Sequence, residues 1–289
     1  ARWGALAEAR SPLDKWAALT MFERVMHQRT SYSPGAMAHT IFRSHIKPQN
    51  PRWYEYPTDK LPRVIHGAAY GIVPAALNDG AIRWLHTYDV NAAHLATAAG
   101  TEFGCGELAY SPDPSSAAAA LARKRPGIYR VELPKGTPRL ELRRDGWYDL
   151  SLARYAVANL GATIAAAHTF SEKHQALRHW CEELWSARER TKGAARGLVK
   201  AAYTGGLGRL DHKPRRGTNP DYRPLWYAAI VSETARRQWA RWRHFAASGT
   251  ARPLFVWSDT IGLLTSSEEP PAASATSLGG LRQIGRAHV

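Results

Sequence analysis

The chain has 289 residues, enough for one large domain or two smaller ones with a sizeable core. Lys and Arg total 39 against 24 for Asp and Glu, giving +15 and a pI near 10.1, a balance that favours a polyanionic partner, either nucleic acid or an anionic membrane surface. The two cysteines, Cys105 and Cys181, form no zinc pattern and no disulfide framework, and neither a signal peptide nor an apolar run of membrane-spanning length is present, so a cytoplasmic location without a membrane partner is expected.

Residues 12–30 carry Leu13, Trp16, Leu19, Phe22, Val25 and Met26 at helical spacing, and a second helix is expected over Pro34 to His45. Residues 47–63, rich in Pro and aromatics, read as a loop. Arg63 to Val73 and Ala81 to Val90 read as strands joined by an Asn78-Asp79-Gly80 hairpin turn. Residues 111–116 are turn-like, Gly127 to Leu133 and Leu140 to Leu142 look like strands, and Asp149 to Leu160 is an amphipathic helix that Gly161 stops. Ser171 to Ala202 reads as a long helical region, broken near Gly193 and Gly197 and ended by Gly205, Gly206 and Gly208. A basic, turn-rich stretch over 211–222 precedes a periodic helix from Pro224 to Ala246. Arg252 to Leu264 is an apolar strand pair with Asp259 near its middle, residues 266–277 are a polar linker, and a helix is expected near Ala287. The chain begins at Ala1 and stops inside that expected helix, so it reads as a piece of a longer protein. The order of helices, sheet, helical pair, helix and β-hairpin is an α+β arrangement.

The stretch Tyr88-Asp89-Val90-Asn91-Ala92-Ala93-His94-Leu95 carries the most chemistry. It parks a carboxylate at the end of an apolar strand, just before a helix. Burying an ionised acid requires compensation, which a metal ion supplies; equally, an Asp at this place caps the following helix. Arg188 and Lys192 at i and i+4 share one face of the expected helix, and Lys200 two turns further extends a cationic stripe. Such a stripe serves phosphates or is simply a solvated basic face.

Three segments, in order, resemble the polymerase core of family B DNA polymerases, especially the protein-primed branch. Asp89-Val90-Asn91-Ala92-Ala93-His94-Leu95 occupies the frame of the family's Asp-x-x-Ser-Leu-Tyr-Pro, with His94 in place of the Tyr that selects the sugar. Lys200-Ala201-Ala202-Tyr203-Thr204-Gly205-Gly206-Leu207-Gly208 resembles Lys-x-x-x-Asn-Ser-x-Tyr-Gly, and Arg188 and Lys192 match the fingers pattern Arg-x-x-x-Lys upstream of it. Phe255-Val256-Trp257-Ser258-Asp259-Thr260-Ile261 resembles Tyr-x-Asp-Thr-Asp-Ser with one acid only. Trp257 set on the Tyr puts Asp259 on the first family acid; Asp259-Thr260-Ile261 set on Asp-Ser-Ile keeps the second, which is the metal ligand, and is preferred. Weaker echoes are His66-Gly67-Ala68-Ala69-Tyr70-Gly71 for the Tyr-Gly-Gly element, Pro224 through Arg236 for a palm helix, and Leu278-Gly279-Gly280-Leu281-Arg282 after the third motif.

The resemblance implies a right-hand polymerase fold, with an antiparallel palm sheet, flanking helices and a helical fingers pair. Residues 1–80 would lead into the palm, 81–165 form its first part, 166–210 the fingers, and 211–289 the second part of the palm and the start of a thumb. It implies metal-dependent nucleotidyl transfer, as the DNA polymerase of a plasmid, phage or linear replicon. Asp89 and Asp259 would hold Mg²⁺ or Mn²⁺, Arg188, Lys192, Lys200, His94 and Val90 would contact the nucleoside triphosphate, and Tyr70, Gly71, Thr204, Gly205, Gly206 and Gly208 the primer and template DNA. The primer would be a nucleic-acid 3′ end or a terminal-protein hydroxyl. The competing reading is a catalytically degenerate, polymerase-like nucleic-acid-binding protein in replication or regulation, favoured by the replaced Tyr and Asn and the thinned acidic motif. A basic packaging protein accounts for the charge but not for the motif order.

Overall fold

The computed structural model describes residues 6–7, 9, 11–27, 40, 61–65, 70–73, 80–136, 141–142, 144–213 and 222–288. In chain order these form α1 (Pro12–Met26), β1 (Tyr70–Ile72), β2 (Trp84–Val90), α2 (Ala93–Gly100), β3 (Phe103–Ser111), α3 (Pro114–Ala122), β4 (Gly127–Glu132) and β5 (Gly146–Asp149). Then follow α4 (Leu150–Leu160), β6 (Thr163–His174), α5 (Arg178–Glu189), α6 (Gly193–Asp211), α7 (Pro224–Ser248), β7 (Arg252–Trp257), β8 (Thr260–Thr265) and β9 (Leu281–His288). The chain divides into two compact units, each discontinuous in sequence: Ala1–Leu61, Ala98–Gly106 and His174–Tyr227 form the first, and Pro62–Thr97, Glu107–Lys173 and Ala228–Val289 the second.

The second unit holds a five-stranded sheet in the order β1-β7-β8-β2-β9 and, for most of its length, a four-stranded sheet in the order β3-β6-β4-β5. In the first sheet every pairing is antiparallel. Its middle strand is β8, and beside it the alternating residues His86, Tyr88 and Val90 of β2 are buried, as a strand packed on one face requires. Tyr88, Ile261, Leu263, Phe245 and Ala251 form the core beneath it. Gly262 is needed in β8 because a Cβ there would meet the Phe255 ring at 2.2 Å. The four-stranded sheet buries Tyr129, Val131, Tyr148, Ile164 and Ala167 against Leu121 of α3, Leu152 and Ala156 of α4, and Trp239 of α7.

The expected hairpin between residues 63–73 and 81–90 does not form. Strand β1 pairs with β7, with Tyr70 in register with Trp257, and β2 pairs with β8 and β9; Asn78 and Asp79 lie outside the described residues. These partners are far away in sequence, and a local turn signal carries no information about them. The stretch 111–116 is the end of β3 and the start of α3. Asp113 caps α3 by accepting from the Ser116 N–H at 2.8 Å, with Pro114 at its first position. Glu141 and Leu142 are not in a strand; the strand after β4 is β5, paired with it through Tyr129 and Tyr148. Residues 171–174 belong to β6. The C-terminal stretch is strand β9 and not a helix, because its backbone completes hydrogen bonding along the free edge of β2. The Pro34–His45 helix, residues 47–60 of the expected loop, His66–Ala69 and residues 214–221 fall outside the described residues, apart from Thr40.

In the first unit α1, α5 and α6 pack together, burying Phe22, Val25, Trp180, Leu184, Leu198, Val199 and Leu207. The helical break falls at Arg190–Lys192, ahead of Gly193 with φ 53°. Helix α6 then runs unbroken through Gly205, Gly206 and Gly208 to Asp211. Each interior glycine costs about 1 kcal/mol of helix propensity, and burial of Ala202, Tyr203, Leu207 and Leu210 along the same helix outweighs it at about 1.5–3 kcal/mol per large apolar side chain.

Asp149 supplies a test of the second core. It caps α4, accepting from the Ser151 and Leu152 N–H groups at 3.1 and 3.2 Å, and Gly161 (φ 65°) closes the helix. Burial pushes the Asp149 carboxyl up to about 7, with the nearby Glu233 charge adding to the shift and the two backbone N–H groups opposing it. A carboxyl raised in the folded state adds stability below its unfolded pKa and loses it as pH rises through the folded value. Asp149→Asn keeps a good cap and removes the titration. In urea denaturation the variant should therefore gain on the parent as pH rises from about 4 to about 8, by an amount on the order of 4 kcal/mol at most. A difference between the two proteins that is constant with pH would contradict this.

Candidate active site

One end of the five-stranded sheet gathers the acids that the sequence singled out. Asp89 is the penultimate residue of β2. It lies in register with Thr260 on β8 and with Arg282 on β9, and directly opposed residues of an antiparallel pair share a face. The Arg282 guanidinium lies 3.4 Å from Asp89 Oδ2. Asp89 lies four residues before the first residue of α2.

Asp259 sits at the tip of the β7–β8 hairpin. Trp257 pairs with Thr260, leaving Ser258 and Asp259 as a two-residue turn with Ser258 at φ 55°, positive φ at the first turn position as tight hairpins of this kind require. The Val90 N–H donates to the Asp259 carbonyl at 3.0 Å, so the hairpin tip is bonded to the residue that follows Asp89. The residue in register with Asp89 is nonetheless Thr260, and Asp259 lies one position earlier, in the turn. Burial pulls the His94 imidazole below its ordinary range, with the Asp259 carboxylate opposing the shift, which sets His94, at the start of α2, within electrostatic reach of Asp259. Tyr70 and Gly71 pair with Trp257 and Val256 of the same hairpin.

The connection from β2 to α2 is strained and pinned. Ala92 has φ 51°, a left-handed conformation that costs a residue with a Cβ on the order of 1–2 kcal/mol. Asn91 holds it: its N–H donates to the Gly280 carbonyl and its carbonyl accepts from the Gly279 N–H, both at 2.9 Å, while its side-chain amide donates to the Thr276 carbonyl at 2.7 Å. The Leu278–Arg282 segment is thus tied to the strand end that carries Asp89.

The candidate phosphate ligands lie in the first unit, and there the expected stripe is different. Arg188 and Lys192 do not share a helix face: Arg188 is in the last turn of α5, and Lys192 is the extended cap of α6. Arg188 is buried. It donates to the Tyr203 hydroxyl and lies over the Trp185 and Tyr203 rings, at 5.5 and 5.7 Å from their centroids. Burial among aromatic faces suits a weakly hydrated guanidinium. The exposed basic row is Lys192, Arg196 and Lys200, spaced four apart along α6, with Arg196 half-buried, and Thr204 and Gly205 are exposed beyond it. Arg196 was not singled out in the sequence; its signal was the i, i+4 spacing between the two lysines, legible once the break at residues 190–192 is known. Gly206 is buried in the helix packing and Gly208 is exposed.

Among the described residues, no group of three or more His, Cys, Asp or Glu side chains is arranged to hold a metal ion, and no helix is long and apolar enough to cross a membrane. No protein-family model matches the sequence, and no curated protein does. Among solved structures, a phi29 DNA polymerase complexed with primer-template DNA matches over 95% of this chain, at 15% identity and a TM-score of 0.64.

The chain is similar in fold to phi29 DNA polymerase. An orthorhombic crystal form of that polymerase matches at 13% identity and a TM-score of 0.61, and its ternary complex with primer-template DNA and incoming nucleotide at 14% and 0.60. The chain spans about 55% of the length of these phi29 polymerase chains. At such identity the similarity is one of fold.

The contrast between Arg188 and Lys200 is measurable. Arg188→Ala should destabilise the protein by about 2 kcal/mol or more, by removing a buried, hydrogen-bonded cation. Lys200→Ala should stay within about 0.5 kcal/mol, as an exposed substitution. Thermal unfolding separates the two, and a stability loss at Lys200 matching that at Arg188 would contradict the placement.

Proposed function

We propose that this chain is the palm-and-fingers portion of a metal-dependent DNA polymerase of the protein-primed type, a nucleotidyltransferase acting at a primer hydroxyl. The observation that carries the reading is the meeting of Asp89 and Asp259 at one sheet end through the bond from the Val90 N–H to the Asp259 carbonyl, in a chain whose fold matches phi29 polymerase in complex with primer-template DNA. The right-hand arrangement, and the assignment of residues 81–165 and 211–289 to the palm and 166–210 to the fingers, belong to the same proposal.

The donor set suits Mg²⁺ or Mn²⁺. Both acids offer hard oxygens, and Mg²⁺ ordinarily binds through one or two carboxylates and fills its shell with water and substrate phosphate. Bound there, a divalent cation would activate the primer hydroxyl and neutralise charge on the triphosphate and the departing pyrophosphate. The remaining tasks fall to the chain itself. Asp89 and Asp259 hold negative charge at the sheet end where the reacting groups meet. Lys192, Arg196 and Lys200 offer a row of cations to phosphate oxygens. His94, whose pKa burial lowers, stands where the family carries its sugar-selecting Tyr and offers a ring edge to the sugar. Arg188 acts by bracing Tyr203, and through it the helix that carries Lys200.

A second reading is favoured by specific geometry. Thr260 rather than an acid stands in register with Asp89, and Arg282 already pairs with the Asp89 carboxylate. A polymerase fold retained for binding alone would tolerate both.

Nucleotide incorporation decides between them. With Mg²⁺ or Mn²⁺, and with DNA primers or protein-hydroxyl primers, the full-length protein should incorporate labelled nucleotide. Asp89→Asn and Asp259→Asn should each abolish incorporation and leave salt-sensitive DNA binding within about twofold, because that binding comes from basic residues and counterion release. A full-length protein that binds DNA and incorporates nothing with either primer selects the binding-only reading.

A further inference from the structure

The four-stranded sheet has one face packed and one face partly open. Tyr129, Ala167 and Tyr148 lie on the packed face, in register across β4, β6 and β5. The residues between them point the other way. On that second face Arg130 of β4 is in register with Ala166 of β6 and Trp147 of β5, and Ile128 is in register with His168. Ile128 and Ala166 are buried and give the face an apolar floor.

Above that floor runs a row of rings. Tyr110 of β3 stacks on His168, with centroids 4.6 Å apart and planes 29° off parallel, and Trp147 lies 5.1 Å from the same imidazole. Tyr110 is 57% exposed, an unusual state for a large ring already in contact with another, and its outer face is available to a further flat group. Arg130 is exposed on the same face, and the turn leading into β4 is the exposed basic run Arg123-Lys124-Arg125. Burial lowers the His168 pKa, which favours the neutral imidazole that stacks on Tyr110.

We infer that this sheet face is a binding site for single-stranded nucleic acid, with an unpaired base stacked on Tyr110 in continuation of the Tyr110–His168–Trp147 row and the strand's phosphates running towards Arg130 and the Arg123–Arg125 turn. Every base has a flat face, so stacking of this kind accepts any sequence, while duplex DNA keeps its bases stacked on one another and cannot use the ring. The occupant follows from the combination of an exposed stacking ring, flanking cations and a net charge of +15. An acidic protein would meet the cations but would leave the ring row without a matching partner. The inference stands apart from nucleotidyl transfer: it holds for a catalyst and for a binding-only protein alike.

The test is fluorescence anisotropy with labelled oligothymidylate, oligouridylate and a duplex of equal length, each over a range of salt, using the unmodified protein, Tyr110→Ala, Tyr110→Phe and Arg130→Ala. Loss of one stacked base predicts that Tyr110→Ala weakens oligothymidylate and oligouridylate about tenfold or more without changing the salt slope. Tyr110→Phe should bind within about twofold of the parent, which separates stacking from a hydroxyl contact and confirms that the position tolerates change. Arg130→Ala should reduce the salt slope by about 0.7. Duplex binding should not respond to either Tyr110 substitution. Single-strand binding unchanged in Tyr110→Ala, an equal loss in Tyr110→Phe, an equal loss on the duplex, or a loss confined to one sugar type would each overturn the inference.

Discussion

The antiparallel pairing of β2 with β8 is the constraint on which the rest of the second unit depends. It joins residues about 170 positions apart, and closing a loop of that length carries an entropic cost that grows only slowly with length but must be met before any contact is gained. Burial of Tyr88, Ile261 and Leu263 beneath the pair meets it. The hairpin partner β7 and the edge strands β1 and β9 then add to a template already in place. The register is not free to slip: moving β2 by one residue would turn Tyr88 and Val90 to the outer face and Asp89 into the core. The side-chain alternation that buries the sheet is therefore what places Asp89 on the outer face at the sheet end, and the same ladder brings the hairpin tip with Asp259 alongside.

That end of the sheet carries tension of two kinds. Ala92 holds a left-handed backbone beside Asn91, which is bonded to Gly279, Gly280 and Thr276. Arg282, delivered by β9, sits on the Asp89 carboxylate. The ion pair is half-exposed, and pairs of that kind are worth at most about 1 kcal/mol. On the proposed function, a divalent cation accompanied by substrate phosphate would displace it, with the freed guanidinium left beside the phosphates. The device that weakens the acid pair as a cation site thus supplies a cation of its own, which is compatible with catalysis and with binding alone.

The parts of the fold legible in the sequence were those with local causes. The periodic pattern of α7, the amphipathic α4 with its Gly161 stop, and the β7–β8 strand pair with Asp259 near its middle all follow from neighbours within a few residues. The α+β class followed from their order. What escaped had non-local causes. The Asn78-Asp79-Gly80 signal pointed to a hairpin, but β1 found its partner at β7, close to the far end of the chain. Glycines at 205, 206 and 208 signal a helix end by propensity, and tertiary burial overrode them. Strand β9 carries weak alternation and exists because β2 has an edge to fill. In the site, the acids could be chosen from motif order, but the one-residue offset between Asp259 and Thr260 and the burial of Arg188 under Tyr203 depend on register and packing that no spacing rule contains. The aromatic row of Tyr110, His168 and Trp147 was invisible for the same reason, since sheet order alone brings those residues together.

On the proposed function, Asp89 and Asp259 serve one cation site rather than two unrelated roles. Electron paramagnetic resonance of Mn²⁺, titrated into the full-length protein with a non-hydrolysable nucleoside triphosphate, tests it without requiring turnover. A shared site should give a Mn²⁺ population bound only in the presence of nucleotide that is lost in Asp89→Asn and lost equally in Asp259→Asn, with the double variant no worse than either. Retention of that population in one single variant, or additive losses in the double, would show that the two carboxylates do not share a metal.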